Sequence, residues 1–502
     1  MSRSAIVSTV GGDVQGVVVD GISIFRGIPY GAPTGGDNRF RPPQPPAPWS
    51  GVRDTSRYGE TAPQARTWLA EGGFDGNRPG IGEDCLVLNV WTPSPDASQR
   101  PVLVWLHGGG FEAGTGSVML YDGGAICRRG DVVVVTLNHR LGVMGHLHLG
   151  DIAGDELAGS ANAGFLDIVA ALRWVRDNIA AFGGDPSNVM IYGQSGGGRK
   201  VSLATAAPIA TGLFHRGVVQ SGSQLRLLSR EAANERAEQL LVHFDLEPHQ
   251  WRRLRDIPMK ELLRGGRAVR RRFSPTVDGV VFDRDPWHPD APPTAFDIPM
   301  MIGTCRTEMS LQLGMIDPSS YDITDDDLPE RLAAFVEPDD VDGLVEVVRR
   351  SIPGAPAPEV LFTIATARGY WRDSVVQTER KCLQAAAGGA PVWSYRVLWR
   401  TPVEGGRKIS PHNLDLPFVF DNVALAPQIA GPPSDETAAM AEAMSESWLA
   451  FARTGDPNNA AVPSWPPYDL EQRRVMHFDV PPVVVADPFP EERLAMASDE
   501  PQ

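Results

Sequence analysis

The run Met190-Ile191-Tyr192-Gly193-Gln194-Ser195-Gly196-Gly197-Gly198-Arg199-Lys200 constrains this chain more than any other stretch. It predicts a short apolar strand, a turn dense in glycine, and a helix that starts with Val201-Ser202-Leu203-Ala204. Ser195 stands at the tip in the pattern Gly-x-Ser-x-Gly. A serine there is held on a sharp, strained backbone that pushes its hydroxyl outward. A Cβ at the flanking glycines would strike the strand or the helix. The helix N-terminus behind Ser195 adds positive partial charge where an oxyanion can form. Ser195 is therefore a candidate nucleophile. Glycine-rich strand-to-helix turns also serve structure alone, so the chain must supply a base, an acid and oxyanion donors before that reading holds.

The surrounding pattern is that of an α/β protein. Residues 5–30 alternate polar and apolar side chains, as antiparallel hairpin strands do. Pro101 to Leu106 and Val132 to Leu137 are continuous apolar runs, suited to strands buried on both faces of a parallel sheet. Between Ala161 and Phe182, Leu166, Val169, Leu172, Val175 and Ile179 fall on one helical face. The strand ending at Leu106 runs into His107-Gly108-Gly109-Gly110-Phe111. Three readings of that loop stand: a plain tight turn, a phosphate cradle, and an oxyanion hole. No Gly-Lys-Ser/Thr follows the glycines as a P-loop requires. With a nucleophile nearby, the useful donors are the N–H groups of Gly109, Gly110 and Gly196.

Composition narrows the function classes. A net charge of -16 argues against nonspecific nucleic-acid binding and against an anionic membrane surface. The first residues lack a long apolar run, so we expect no signal peptide and no membrane span. Cys85, Cys127, Cys305 and Cys382 lie far apart without metal-ligand spacing, which suits reduced thiols in a cytoplasmic protein. No metal or cofactor is expected. The arginines at 264, 267, 270, 271 and 272 read as a solvated helical face; a patch recognising an anionic group is the alternative.

Many ordered motifs resemble the type-B carboxylesterases, the family of bacterial para-nitrobenzyl esterases, cholinesterases and vertebrate carboxylesterases. They include Phe25 to Tyr30, Glu83-Asp84-Cys85-Leu86, His107 to Phe111, Asn138-His139-Arg140-Leu141-Gly142 and Gly164-Phe165-Leu166-Asp167. Beyond the Ser195 turn come Gln220-Ser221-Gly222-Ser223, Pro275 to Gly279, Leu416-Pro417-Phe418-Val419-Phe420 and Trp448 to Phe451. The resemblance runs nearly end to end and is strongest to the bacterial branch. It implies one α/β-hydrolase catalytic domain over residues 1–502, with a large, mostly parallel sheet. Helical, lid-like excursions are expected at about 224–272 and 318–400.

The chain order in such enzymes is serine, acid, histidine. His412 lies in a loop, Lys408-Ile409-Ser410-Pro411-His412-Asn413, just ahead of a Leu-Pro-Phe-x-Phe run. The family's catalytic histidine occupies this position. Glu308 follows the apolar run Pro299 to Thr304 within one short loop, where the family has its acid. Most relatives carry Asp-Glu-Gly there and this chain has Thr307-Glu308-Met309; Asp278 and Asp415 are rival acids. Ser221 matches a second buried family serine that bonds near the acid and base, or is a buried turn serine. Gln194 stands where many relatives have glutamate, which makes the site less anionic and disfavours cationic choline esters. Cys85 cannot form the disulfide of secreted relatives, because no cysteine precedes it. That leaves the loop at 57–82 freer to move; Trp68 and Phe74 read as ordinary packing aromatics, with a pocket rim as the alternative.

The expected activity is hydrolysis of a small-molecule carboxylic ester through an acyl-enzyme, by a monomer or weak homo-oligomer. Carbamates or aryl amides are alternative substrates for the same triad. Some relatives are adhesion proteins with a dead site, but those lose the serine or the histidine and carry membrane anchors.

Overall fold

The computed structural model describes residues 2–65, 80–269 and 271–497. Trp68, Phe74 and Arg270 lie outside the described residues. The chain divides into two compact units, residues 1–217 with 226–294 and residues 218–225 with 295–502.

In the first unit, three N-terminal strands, β1 (Ser2–Thr9), β2 (Gly12–Val19) and β3 (Ile22–Pro29), form an antiparallel meander. The short β4 (Val52–Asp54) joins β2 in parallel. Then come β5 (Val87–Thr92), β6 (Arg100–Leu106), β7 (Val133–Leu137) and β8 (Gly184–Gln194), in the spatial order β3-β5-β7-β6-β8. The strands β7, β6 and β8 run parallel. β5 is antiparallel to both of its neighbours, so the sheet is mixed. Every residue of β5 and β7 is buried, as continuous apolar strands covered on two faces require. The helices Ala163–Asn178 and Gly196–Ala206 pack on β8. The second of these starts directly after Ser195, earlier than the sequence predicts. Ser195, at φ 59 and ψ -124, makes the whole reversal by itself, and the three glycines after it are already helical.

Two of the motifs explain themselves here. Arg140 and Asp167 are both buried and form a bidentate pair, Nη2 to Oδ1 at 2.6 Å and Nε to Oδ2 at 2.8 Å. A carboxylate matched this way is what allows an arginine inside a core. Asp278 is held by Asn162 and by the N–H groups of Val280, Val281 and Phe282, the pattern of a structural turn. The helices Arg230–His243 and Met259–Ala268 form the excursion after residue 224. Arg264, Arg267, Arg271 and Arg272 are exposed there, and Arg272 faces Glu112 at 3.4 Å.

In the second unit, β10 (Met300–Cys305), β11 (Val392–Val397) and β12 (Arg474–Phe478) are parallel, and β13 (Val483–Ala486) closes the edge in antiparallel pairing. The helices Val341–Ser351 and Ala357–Thr366 build a separate apolar cluster with Leu328, Leu332 and Trp371. All four cysteines are free and buried. Among the described residues no helix is long and apolar enough to cross a membrane.

Candidate active site

Ser195 is only half-buried, whereas its neighbours on the turn are buried. A Cβ at Gly197 would lie 1.9 Å from the Leu106 carbonyl oxygen, and one at Gly193 would lie 2.5 Å from the Gly197 carbonyl carbon. Strand, turn and helix therefore approach to backbone contact, which explains the glycines flanking the serine. Gly109 and Gly110 adopt φ +94 and +65. These left-handed conformations turn the loop after β6. A Cβ at Gly196 would meet Gly110 N at 2.3 Å and Gly110 O at 2.4 Å. The backbones of Gly110 and Gly196 thus touch, which brings the expected oxyanion donors together. The contact also gives the bare glycine at 196 a steric reason. We expect Gly196→Ala to push the Gly110 loop away and to lower kcat by about 10²-fold, the effect of losing one oxyanion donor. Steady-state kinetics on a para-nitrophenyl ester checks this, and unchanged kcat would mean that the loop yields.

Beneath that loop the sequence concealed a cation. Lys200, on the helix behind Ser195, is fully buried and donates from Nζ to the His107 carbonyl oxygen at 2.8 Å. No carboxylate pairs with it among the described residues, and burial pulls its pKa down to about 7. Around it His107, His139 and His146 are buried as well, and burial, aided by the Lys200 charge, holds all three imidazoles below their ordinary range. The His107 and His139 rings stack at 4.7 Å. Only the placement of a lysine among small and apolar residues marked Lys200 in the sequence.

The sign of its effect on stability follows. Below about pH 7 the amine is charged in both states and its burial cost is fully felt. Between there and the ordinary 10.5 the unfolded chain holds one more proton than the folded chain, so stability rises with pH. We expect wild type to gain on the order of 2 kcal/mol relative to Lys200→Met between about pH 6.5 and about pH 9. Urea unfolding of both proteins at the two pH values reads this directly; parallel pH profiles would contradict it.

The second unit carries the candidate acid and the candidate base. Glu308 is fully buried one turn past β10. Its Oε1 accepts from Ser221 Oγ at 2.5 Å and from the Cys305 N–H at 2.7 Å. Its Oε2 lies 2.5 Å from Nδ1 of His412. An ionised carboxylate only accepts, so His412 Nδ1 carries the hydrogen and Nε2 is left as the basic nitrogen. Ser221 reaches this bond from a left-handed conformation, φ 51, just past β9 (Arg216–Gln220). The histidine loop is fastened to the glutamate loop and to the end of β11. Ser410 N donates to Thr307 Oγ1 at 2.9 Å, Thr307 N to Ser410 O at 3.0 Å, and Ser410 Oγ to Val397 O at 2.8 Å.

The rival acid Asp415 sits nearby and is bonded differently. It accepts from Gln220 Nε2 at 2.7 Å, and Gln220 Oε1 accepts from Trp448 Nε1 at 3.2 Å. Burial, and then the Glu308 charge, push its carboxyl up to about 6. Burial and the Glu308 charge also keep the Cys305 thiol well above its ordinary range, so it is no nucleophile. Tyr370 went unnoticed in the sequence. It lies in a π-helical turn, Ala367–Trp371, with its ring 5.1 Å from the His412 ring. No spacing rule links these two residues. Among the described residues no group of three or more His, Cys, Asp or Glu could hold a metal ion.

Comparison with known proteins agrees with this chemistry. The sequence profile of the carboxylesterase family matches residues 3–497. The para-nitrobenzyl esterase of Bacillus subtilis is 34% identical, with 97% of each chain covered. The phenmedipham hydrolase of Pseudarthrobacter oxydans is also 34% identical, with 95% of each chain covered. Among solved structures, a carboxylesterase of Geobacillus stearothermophilus superposes with a TM-score of 0.84 at 37% identity, over 98% of this chain and 99% of the other. The fold is accordingly the α/β-hydrolase fold. On this match, end to end in sequence and in structure, the chain belongs to the carboxylesterase family and is a serine hydrolase of carboxylic esters.

Proposed function

We propose that Ser195, His412 and Glu308 form the catalytic triad and that Gly109, Gly110 and Gly196 are the oxyanion donors. The observation that carries this reading is the double-ended use of Glu308: Ser221 and Cys305 saturate one oxygen and the other fixes His412 Nδ1. That arrangement has no structural purpose as economical as setting an imidazole tautomer. In the mechanism, Ser195 Oγ attacks the ester carbonyl while Nε2 of His412 takes its proton. Glu308 stabilises the imidazolium, and each oxyanion donor lowers the barrier by about 3 kcal/mol. The imidazolium protonates the departing alcohol. Water, deprotonated by the same nitrogen, then releases the acid and restores Ser195. The reading needs no metal and no cofactor.

Gln194 places a neutral amide beside the nucleophile, so we assign neutral small-molecule esters as substrates over cationic ones. The family match, which spans nearly all of the chain, supports one catalytic domain. Four free, buried cysteines support a reduced, cytoplasmic setting, and the charge of -16 a monomer or weak homo-oligomer that avoids nucleic acid. The direct test is labelling with diethyl para-nitrophenyl phosphate. One phosphoryl group on the Ser195 peptide, in step with loss of esterase activity, is expected; inactivation with the label elsewhere would overturn the assignment.

A further inference from the structure

Three consecutive carbonyls of the loop after β6 each have a donor. Lys200 Nζ, from the helix Gly196–Ala206, donates to the His107 oxygen at 2.8 Å. His107 Nδ1 lies 2.8 Å from the Gly108 oxygen. A carbonyl only accepts, so Nδ1 carries the hydrogen and donates it. The Gly109 oxygen accepts from the N–H groups of Glu112 at 3.3 Å and Ala113 at 3.1 Å. A trans peptide is planar, with its C=O and N–H on opposite sides. Fixing the Gly108 and Gly109 oxygens therefore aims the N–H groups of Gly109 and Gly110 the other way.

The first of these donors is a buried ammonium, where a backbone N–H would satisfy a carbonyl equally well. Lys200 is 0% exposed. Its Nζ also lies 5.9 Å from the centroid of the Phe111 ring, within reach of a cation–π contact. One side chain thus touches both ends of the run His107 to Phe111, and it stands on the helix that starts directly after Ser195. Three titratable groups face it: His107 at the end of β6, His139 just past β7, and His146 on the short helix Gly142–His146. Burial, more than any other cause, keeps these imidazoles neutral at ordinary pH. Farther out, Arg140 is matched by Asp167. The Lys200 charge therefore stands alone against the loop on which the mechanism forms an oxyanion.

We propose that Lys200 is a positioning residue of the oxyanion loop, whose ammonium pins the His107 carbonyl, steadies through the His107 ring the peptide that carries the Gly109 N–H, and stabilises by its charge the oxyanion formed on the ester. A preorganised charge in a site closed to water acts on developing negative charge without reorganising. The inference rests on the assignment of Ser195, Gly109 and Gly110 proposed above.

The test compares the full chain with Lys200→Met, which keeps an unbranched apolar side chain and loses both the donor and the charge. At about pH 6.5 we expect kcat for a para-nitrophenyl ester to fall by about 10-fold, with KM near wild type. A trifluoromethyl ketone, which forms an oxyanion on the attacking serine, should bind more weakly by about the same factor. Both differences should shrink as pH rises to about 9, because Lys200 loses its proton at about 7 and methionine has none to lose. A merely structural role predicts a loss that does not vary with pH; that result, or equal kcat at the lower pH, overturns the inference. If Lys200→Met does not fold, wild type decides: its affinity for the ketone should fall over the same pH range, and a profile without that fall overturns the inference. Diethyl para-nitrophenyl phosphate separates this failure from that of the reading beneath it. A label on Ser195 together with wild-type kcat in the variant removes the role of Lys200 alone, whereas a label elsewhere removes the nucleophile assignment and this inference with it.

Discussion

Replacement of Ser195 by alanine should lower kcat for a para-nitrophenyl ester by about 10⁴- to 10⁶-fold, the range expected when a serine hydrolase loses its nucleophile. The proposed oxyanion donors at Gly109, Gly110 and Gly196 are backbone groups and survive the change. Residual turnover then comes from polarisation of the bound carbonyl towards water. Stability should hold, because alanine at φ 59 and ψ -124 is strained about as much as serine. A pre-steady-state burst of nitrophenol, present in wild type if deacylation limits, disappears in the variant. Full activity in Ser195→Ala, with a native thermal midpoint, sinks the nucleophile assignment.

Glu308→Gln is expected to cost kcat about 10⁴-fold with little change in overall structure. Glutamine keeps one acceptor oxygen for Ser221 and the Cys305 N–H, which now donate to it at 2.5 and 2.7 Å. Its amide nitrogen then faces His412 Nδ1 and offers a hydrogen where a hydrogen already stands. The imidazole relieves that clash by moving its proton to Nε2, the nitrogen that must be basic. Loss of the correct tautomer costs about 10⁴ in a comparable triad. KM should stay near wild type, since Glu308 is buried behind His412. A merely structural role for Glu308 would instead lower stability and leave kcat of the folded fraction intact. Activity measured alongside urea unfolding separates the two outcomes.

What the sequence revealed depended on whether a requirement is local. The glycine at 193 answers to a backbone contact with Gly197 four residues on, so the Ser195 turn could be read from its own pattern. The continuous apolar runs of β6 and β7 likewise declared two covered faces, while the antiparallel pairing of β5 left no trace in its composition. Glu308 and His412 were reached through chain order and resemblance, since nothing local marks a carboxylate as buried. Ser221 left two readings open; its hydroxyl bonds to Glu308, a fact that depends on residues far apart in sequence. Lys200 and Arg396 were harder still. In a strand reading Val-Trp-Ser-Tyr-Arg-Val, alternation says nothing of an arginine enclosed by Trp371 and Phe489 from distant segments. Buried charge is a tertiary property, and residue type argues against it.

The backbone angles at Ser195 bear on how such proteins evolve. A residue forced to φ 59 outside glycine costs the fold on the order of 1–3 kcal/mol, and glycine at the same place would recover about 1 kcal/mol of it. On the proposed role of Ser195, natural selection for turnover holds this codon against a thermodynamic gradient. Once a lineage no longer needs hydrolysis, drift at position 195 runs towards a firmer protein, and the nucleophile is among the first residues that stability alone would discard. A scaffold of this kind passes easily from enzyme to inert descendant, and return requires the strain to be rebuilt.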